Sequence, residues 1–125
     1  MSSSILIVDD NLSLANLYQI VFERSDWLVT RVSSGQEALE SIRAAKPDVV
    51  LLDIMMPEMD GLEVCRRIRS EWPQPPPLIA VYTANNRPET RQAGLDAGAD
   101  LFFNKNLSIF ELPAQIAGFL RPSGQ

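Results

Sequence analysis

The chain has 125 residues, 46% of them hydrophobic and 22% charged, the composition of one soluble globular domain able to bury a core without disulfides or metal staples. Its net charge of −5 leaves no clustered surplus of Lys and Arg for phosphate contacts, so direct nucleic-acid binding is not expected. The sequence contains no histidine, which excludes histidine zinc sites, Ser-His and Cys-His nucleophile pairs and histidine general bases, and leaves carboxylates, hydroxyls and lysine for any chemistry.

The first apolar run, Ile5-Leu6-Ile7-Val8, reads as a buried strand and is followed at once by Asp9 and Asp10. Leu14, Leu17, Tyr18 and Val21 then recur at helical spacing. Residues 28–32 predict a shorter, more mixed strand suited to a sheet edge. A second helix carries Ala38, Leu39, Ile42 and Ala45, opened by the capping-box pair Ser34 and Glu37. The run Val49-Val50-Leu51-Leu52 is a third strand, apolar on both faces, and it ends on Asp53. A carboxylate at the mouth of a buried strand is poorly explained by packing.

Leu62, Cys65 and Ile68 mark a third helix; Cys65 falls on its apolar face and is read as core filler, with a reactive thiol as the minor alternative. Gln74-Pro75-Pro76-Pro77 is a stiff connection, with a polyproline ligand as the lesser reading. Residues 78–82 form a fourth strand, with Thr83 at its end. A fourth helix is expected over residues 88–97, with Pro88 in its first turn and Gly98 just past its end. Its stripe of Ala93, Leu95 and Ala97 is thin, which predicts loose packing. Residues 101–103 are a fifth, edge-like strand, closed by Lys105, one of only two lysines with Lys46. The last helix carries Leu112, Ile116, Phe119 and Leu120, with Ser108 and Glu111 as a candidate capping box; Pro113 requires that this helix start near it or bend there.

Five strands alternating with five helices predict an α/β three-layer sandwich around a parallel sheet. About residues 4–121 are expected to fold as one domain, with 122–125 a frayed tail or linker stub. No run is long and apolar enough to span a membrane and no basic-then-apolar leader is evident, so a cytoplasmic location is expected. In such sheets functional groups gather at the carboxyl ends of the strands. Asp9, Asp10, Asp53, Thr83 and Lys105 all fall on that rim.

The segments Ile7-Val8-Asp9-Asp10-Asn11, Asp48-Val49-Val50-Leu51-Leu52-Asp53-Ile54-Met55-Met56-Pro57-Glu58-Met59-Asp60-Gly61, Thr83-Ala84, Ala97-Gly98-Ala99-Asp100 and Lys105 together resemble the receiver domain of bacterial two-component response regulators, over essentially the whole length. The resemblance implies a flavodoxin-like fold with strand order 2-1-3-4-5, an order that periodicity does not supply. It implies that Asp53 is the phosphoacceptor, taking a phosphoryl group from a phosphohistidine on a histidine kinase or histidine phosphotransfer protein. Mg²⁺ would be held by Asp10, Asp53 and the backbone oxygen of Met55, with Asp9 acting through water. Lys105 and Thr83 would meet the phosphoryl oxygens. Thr83 and Phe102 match the family's switch positions, which remodel the face made by the fourth helix, fifth strand and fifth helix for a downstream protein or output domain. Met55 and Asn85, each two residues past a site residue, would tune the lifetime of the phosphorylated state. Apart from taking up and losing its phosphate, the domain is not expected to be an enzyme.

Family members commonly carry proline after the active-site lysine, often cis; here Asn106 follows Lys105, which leaves that bond open between trans and cis. Two other functions compete with the leading one. A pseudo-receiver would bind partners without phosphorylation, against which the full Asp9, Asp10, Asp53, Thr83 and Lys105 set speaks. An aspartate-nucleophile phosphatase would resemble D-x-D after the first strand, whereas Asp9 and Asp10 are adjacent.

Overall fold

In the computed structural model, which describes residues 3–54 and 60–120, the strands are β1 Ser4–Val8, β2 Leu28–Val32, β3 Val49–Leu52, β4 Leu78–Thr83 and β5 Leu101–Asn104. They pair in parallel in the order β2-β1-β3-β4-β5. The sequence places the continuous apolar runs at the centre and the mixed ones at the edges for a simple reason. Central strands are covered on both faces, and all four residues of β3 are buried, whereas β2 is half exposed, Leu28 included.

The helices α1 Leu12–Arg24, α2 Gly35–Ala44, α3 Gly61–Glu71, α4 Pro88–Asp96 and α5 Leu112–Leu120 supply the outer layers. Alternate strand residues separate two cores. Leu6, Val8, Val50, Leu52, Ile79 and Val81 pack with Leu39, Ile42, Cys65 and Ile68 of α2 and α3. Ile5, Ile7, Val49, Leu51, Ala80 and Tyr82 pack with Tyr18, Phe22, Leu112 and Ile116 of α1 and α5. Cys65 is fully buried, and burial pushes its thiol pKa up to about 11, so it is core filler and not a reactive thiol.

Helix ends follow local chemistry. Asn11 caps α1 by accepting from the Leu14 N–H, Ser34 caps α2 by accepting from the Glu37 N–H, and Asp60 caps α3 by accepting from Leu62 and Glu63. The box at α2 closes through Ser33: the Glu37 carboxylate accepts from the Ser33 N–H at 3.0 Å, one residue before the cap. Pro113 is the second residue of α5, where its missing N–H goes unnoticed, so the helix starts there and does not bend. The Ser108 hydroxyl accepts from Phe110 and caps a separate 3₁₀ turn, Ile109–Glu111, in place of the expected box with Glu111. Four stripe positions are corrected. Leu17, Leu95 and Phe119 are exposed, at 40%, 37% and 58%, and Ala45 is the exposed C-cap of α2. The faces that reach the core run through Ala15, Tyr18 and Phe22 in α1 and through Leu112, Pro113 and Ile116 in α5, because helix tilt and not spacing alone decides which edge of a stripe meets the sheet. Helix α4 buries only Gly94, in keeping with its thin stripe. Gly98, past the end of α4, takes φ +112°, a backbone that suits glycine. Met55 and the segment 55–59, like the tail 121–125, lie outside the described residues.

Candidate functional site

Strand order brings the ends of β1 and β3 side by side, with Val8 opposite Leu52, and so places Asp9 and Asp53 as neighbours. Both line one small cavity with Ile7, Val8, Tyr18, Leu51, Leu52 and Tyr82. Asp9 is 4% exposed, and its carboxylate accepts from the Asn11 N–H at 2.8 Å. Burial raises the Asp9 pKa, and the nearby charges of Asp53 and Asp10 push it the same way, against the Asn11 hydrogen bond and the Lys105 charge. Asp10 follows at the mouth of the site, half-buried.

Lys105 reaches back from the loop after β5. Its Nζ donates to Asp53 Oδ2 at 2.8 Å, an ion pair whose side chains are 24% and 15% exposed. Burial opposes the ammonium, but the hydrogen bond to Asp53 and its charge prevail and hold the Lys105 pKa above its usual value. Both cis peptide bonds among the described residues lie in the proline run, at Pro75-Pro76 and Pro76-Pro77, so Lys105-Asn106 is trans. The loop is fastened by other means. The Lys105 N–H donates to the Thr83 carbonyl at 2.8 Å, the Asn106 N–H to Asn104 Oδ1 at 2.8 Å and the Leu107 N–H to the Asn104 carbonyl at 3.0 Å.

Thr83 is on the rim but fully buried, and its hydroxyl accepts from the Asn85 N–H at a long 3.4 Å. Phe102 lies elsewhere. Its ring packs against α4, where a Cβ on Gly94 would sit 3.2 Å from it, and the Arg91 guanidinium stands 5.9 Å from its centroid. Asp9, Asp53 and Lys105 are thus brought together, with Asp10 within electrostatic reach, while Thr83 and Phe102 occupy the β4-β5-α4 side. Of the tuning positions, Asn85 is half-buried beside Thr83 and Met55 lies outside the described residues.

Two features escaped the sequence reading. Gly61 opens α3 pressed on the backbone of the Asp53 turn: a Cβ there would meet Ile54 Cα at 2.4 Å and the Asp53 carbonyl oxygen at 3.0 Å. Its place in the Asp60-Gly61 pair signals a turn, but not what it touches. Tyr18 and Tyr82 flank Lys105, whose Nζ is 5.7 Å from the Tyr82 centroid. As members of apolar stripes they gave no signal beyond packing.

The donor set suits a hard dication. Among the described residues no three acidic, histidine or cysteine side chains form a ready-made metal cage. Mg²⁺ does not need one, since it keeps several waters and binds through one or two carboxylates. Asp9 and Asp53 share a cavity, Asp10 adds charge, and the carboxylate repulsion that adds to burial in raising the Asp9 pKa is what a dication relieves.

Comparison with known proteins agrees with this geometry. The family model described as the response regulator receiver domain matches residues 5–117. The alkaline phosphatase synthesis transcriptional regulatory protein PhoP of Bacillus subtilis is 38% identical over 123 residues, covering 98% of this chain and 50% of that protein. The response regulator MprA of Mycobacterium ulcerans is 41% identical over 121 residues, covering 97% of this chain and 51% of that protein. The chain therefore spans about half the length of these curated relatives. Among solved structures, the beryllofluoride-activated receiver domain of Klebsiella pneumoniae RstA superposes with a TM-score of 0.85 at 31% identity, covering 95% of this chain and 99% of that one.

Proposed function

Given that the chain belongs to the response regulator receiver family, we propose that it is a phosphorylation-controlled interaction module whose acceptor is Asp53. The observation that carries this reading is the Lys105–Asp53 pair at the mouth of the sheet, with Asp9 on the same cavity.

A carboxylate oxygen of Asp53 attacks phosphorus of a phosphohistidine on the donor protein. The P–N bond breaks, its electron pair returns to the imidazole nitrogen, and an acyl phosphate forms. The 125 residues contain no histidine, so the phosphohistidine lies outside them, on a histidine kinase or a histidine phosphotransfer protein. Lys105 keeps a compact positive charge beside the acceptor throughout, suited to the tetrahedral oxygens of the transferred group. Asp10, Asp53 and the Met55 carbonyl oxygen, with Asp9 acting through water, would hold Mg²⁺, which would supply positive charge to offset the carboxylates and the transferred group. The Thr83 hydroxyl, which accepts from the Asn85 N–H at a long 3.4 Å, would turn toward the phosphate. That movement clears space for Phe102 and alters the α4-β5-α5 face read by a downstream protein or output domain. Among the described residues no helix is long and apolar enough to cross a membrane, and the proposed setting is the cytoplasm.

The test is incubation with a small phosphodonor, followed by intact-mass spectrometry, with beryllofluoride binding followed by NMR. Uptake that requires Mg²⁺ and disappears in Asp53→Asn supports the reading. Uptake that persists in Asp53→Asn, or none at all, refutes it.

A further inference from the structure

Lysine has a long flexible stem, and an ammonium that must meet a transferred phosphoryl group works best when its position is fixed beforehand. In this chain two tyrosines, Tyr18 and Tyr82, stand in the core beneath the site. Lys105 Nζ stands 5.7 Å from the centroid of the Tyr82 ring, within cation–π range. The Tyr82 hydroxyl donates to the Leu107 carbonyl at 2.6 Å, two residues past Lys105, and so ties down the loop that carries the lysine. Tyr18 meets Tyr82 edge to face, centroids 5.9 Å apart, and lies within electrostatic reach of Lys105. Both tyrosines are 5% exposed and both line the cavity shared by Asp9 and Asp53.

Packing alone does not call for this arrangement. An aliphatic side chain would fill either position without burying a phenol that then needs a partner. Here the Tyr82 hydroxyl finds its partner on the Lys105 loop, and the Tyr18 phenol lies within electrostatic reach of Lys105 itself. We propose that Tyr18 and Tyr82 are positioning residues for phosphoryl transfer: they form a phenolic seat that holds the Lys105 ammonium against Asp53. This rests on the function proposed above, but the seat itself can be measured without any phosphate.

The direct measurement is NMR of protein labelled at lysine Cε, which gives two signals because Lys46 and Lys105 are the only lysines, assigned with Lys46→Arg. An ammonium stem over a ring face is shifted upfield. The Lys105 signal should lie upfield of Lys46, keep its shift in Tyr82→Phe and lose it in Tyr82→Leu. Coincident signals, or a shift that survives Tyr82→Leu, overturn the seat.

The functional arm is a double-mutant cycle. Tyr18→Phe and Tyr82→Leu should each slow the maximal phosphorylation rate about fivefold, and neither should slow it further in a Lys105→Ala background. Equal slowing with and without Lys105 would mean that the rings merely support the core, and the proposal falls. Tyr18→Phe removes one oxygen and keeps the ring, so it carries this arm if Tyr82→Leu does not fold. A wild-type chain that takes no phosphate overturns the function proposed above, while the NMR shift still decides the seat.

Discussion

Replacing Gly61 by alanine tests how tightly the start of α3 is coupled to the Asp53 turn. An alanine Cβ would sit 2.4 Å from Ile54 Cα, where ordinary contact begins near 3.4 Å, so something must yield by about 1.0 Å. The obstructing atoms are backbone, which cannot rotate away. Overpacking of this kind costs up to about 3 kcal/mol. Alanine's better helix propensity returns at most about 1 kcal/mol, so the net loss is about 2 kcal/mol. For a chain of this length that lowers the thermal midpoint by about 8 °C. The same displacement acts on the Asp53 turn, and an error of about 1 Å in a reacting group slows transfer about a hundredfold. Calorimetry measures the first effect and phosphorylation kinetics with a small donor the second. A Gly61→Ala protein with wild-type midpoint and wild-type rate would refute the coupling outright.

Four further outcomes are expected. Arg69 is 15% exposed and donates to the carbonyls of Gly98, Trp72 and Pro77 and to Asp100, so Arg69→Leu should cost about 3 kcal/mol in urea unfolding. By contrast Arg43→Ala, which breaks an exposed pair with Glu71, should cost less than about 1 kcal/mol in the same assay. Because burial raises the Asp9 pKa, the folded protein holds that proton more tightly than the unfolded chain. The contribution stabilises the fold below the ordinary value of 3.8 and is lost as pH rises through the folded value; Asp9→Asn should flatten the metal-free stability profile over that window. Cys65, with its thiol pKa near 11, should resist a thiol reagent at pH 8 in native protein and react promptly in denaturant; fast native labelling would contradict its burial.

The strand runs were legible because a doubly covered stretch of strand has to be apolar, as Ile5 to Val8 of β1 and all of β3 are. Strand order was not, since periodicity says which face is buried and nothing about which neighbour covers it; the order came from the resemblance and matches the sheet. Asp9, Asp53 and Lys105 stood out as charges at strand ends, and they meet. The contributions of Gly61, Tyr18 and Tyr82 lie in contacts between distant segments, and residue type alone does not carry that information. Leu17 and Phe119 failed as core residues because each sits at the margin of its apolar stripe, where the angle of the helix on the sheet decides the outcome.

The uneven burial across the sheet sets a gradient of local stability. Around β1 and β3 nearly every side chain is enclosed, so amides there should exchange with solvent only on global unfolding. Helix α4 encloses one glycine, and it meets the Phe102 ring through that glycine and its own Arg91 guanidinium. Opening α4 therefore exposes little apolar area and costs far less than opening the centre. The chain can rearrange this flank many times over without loosening the strands that carry its acidic residues.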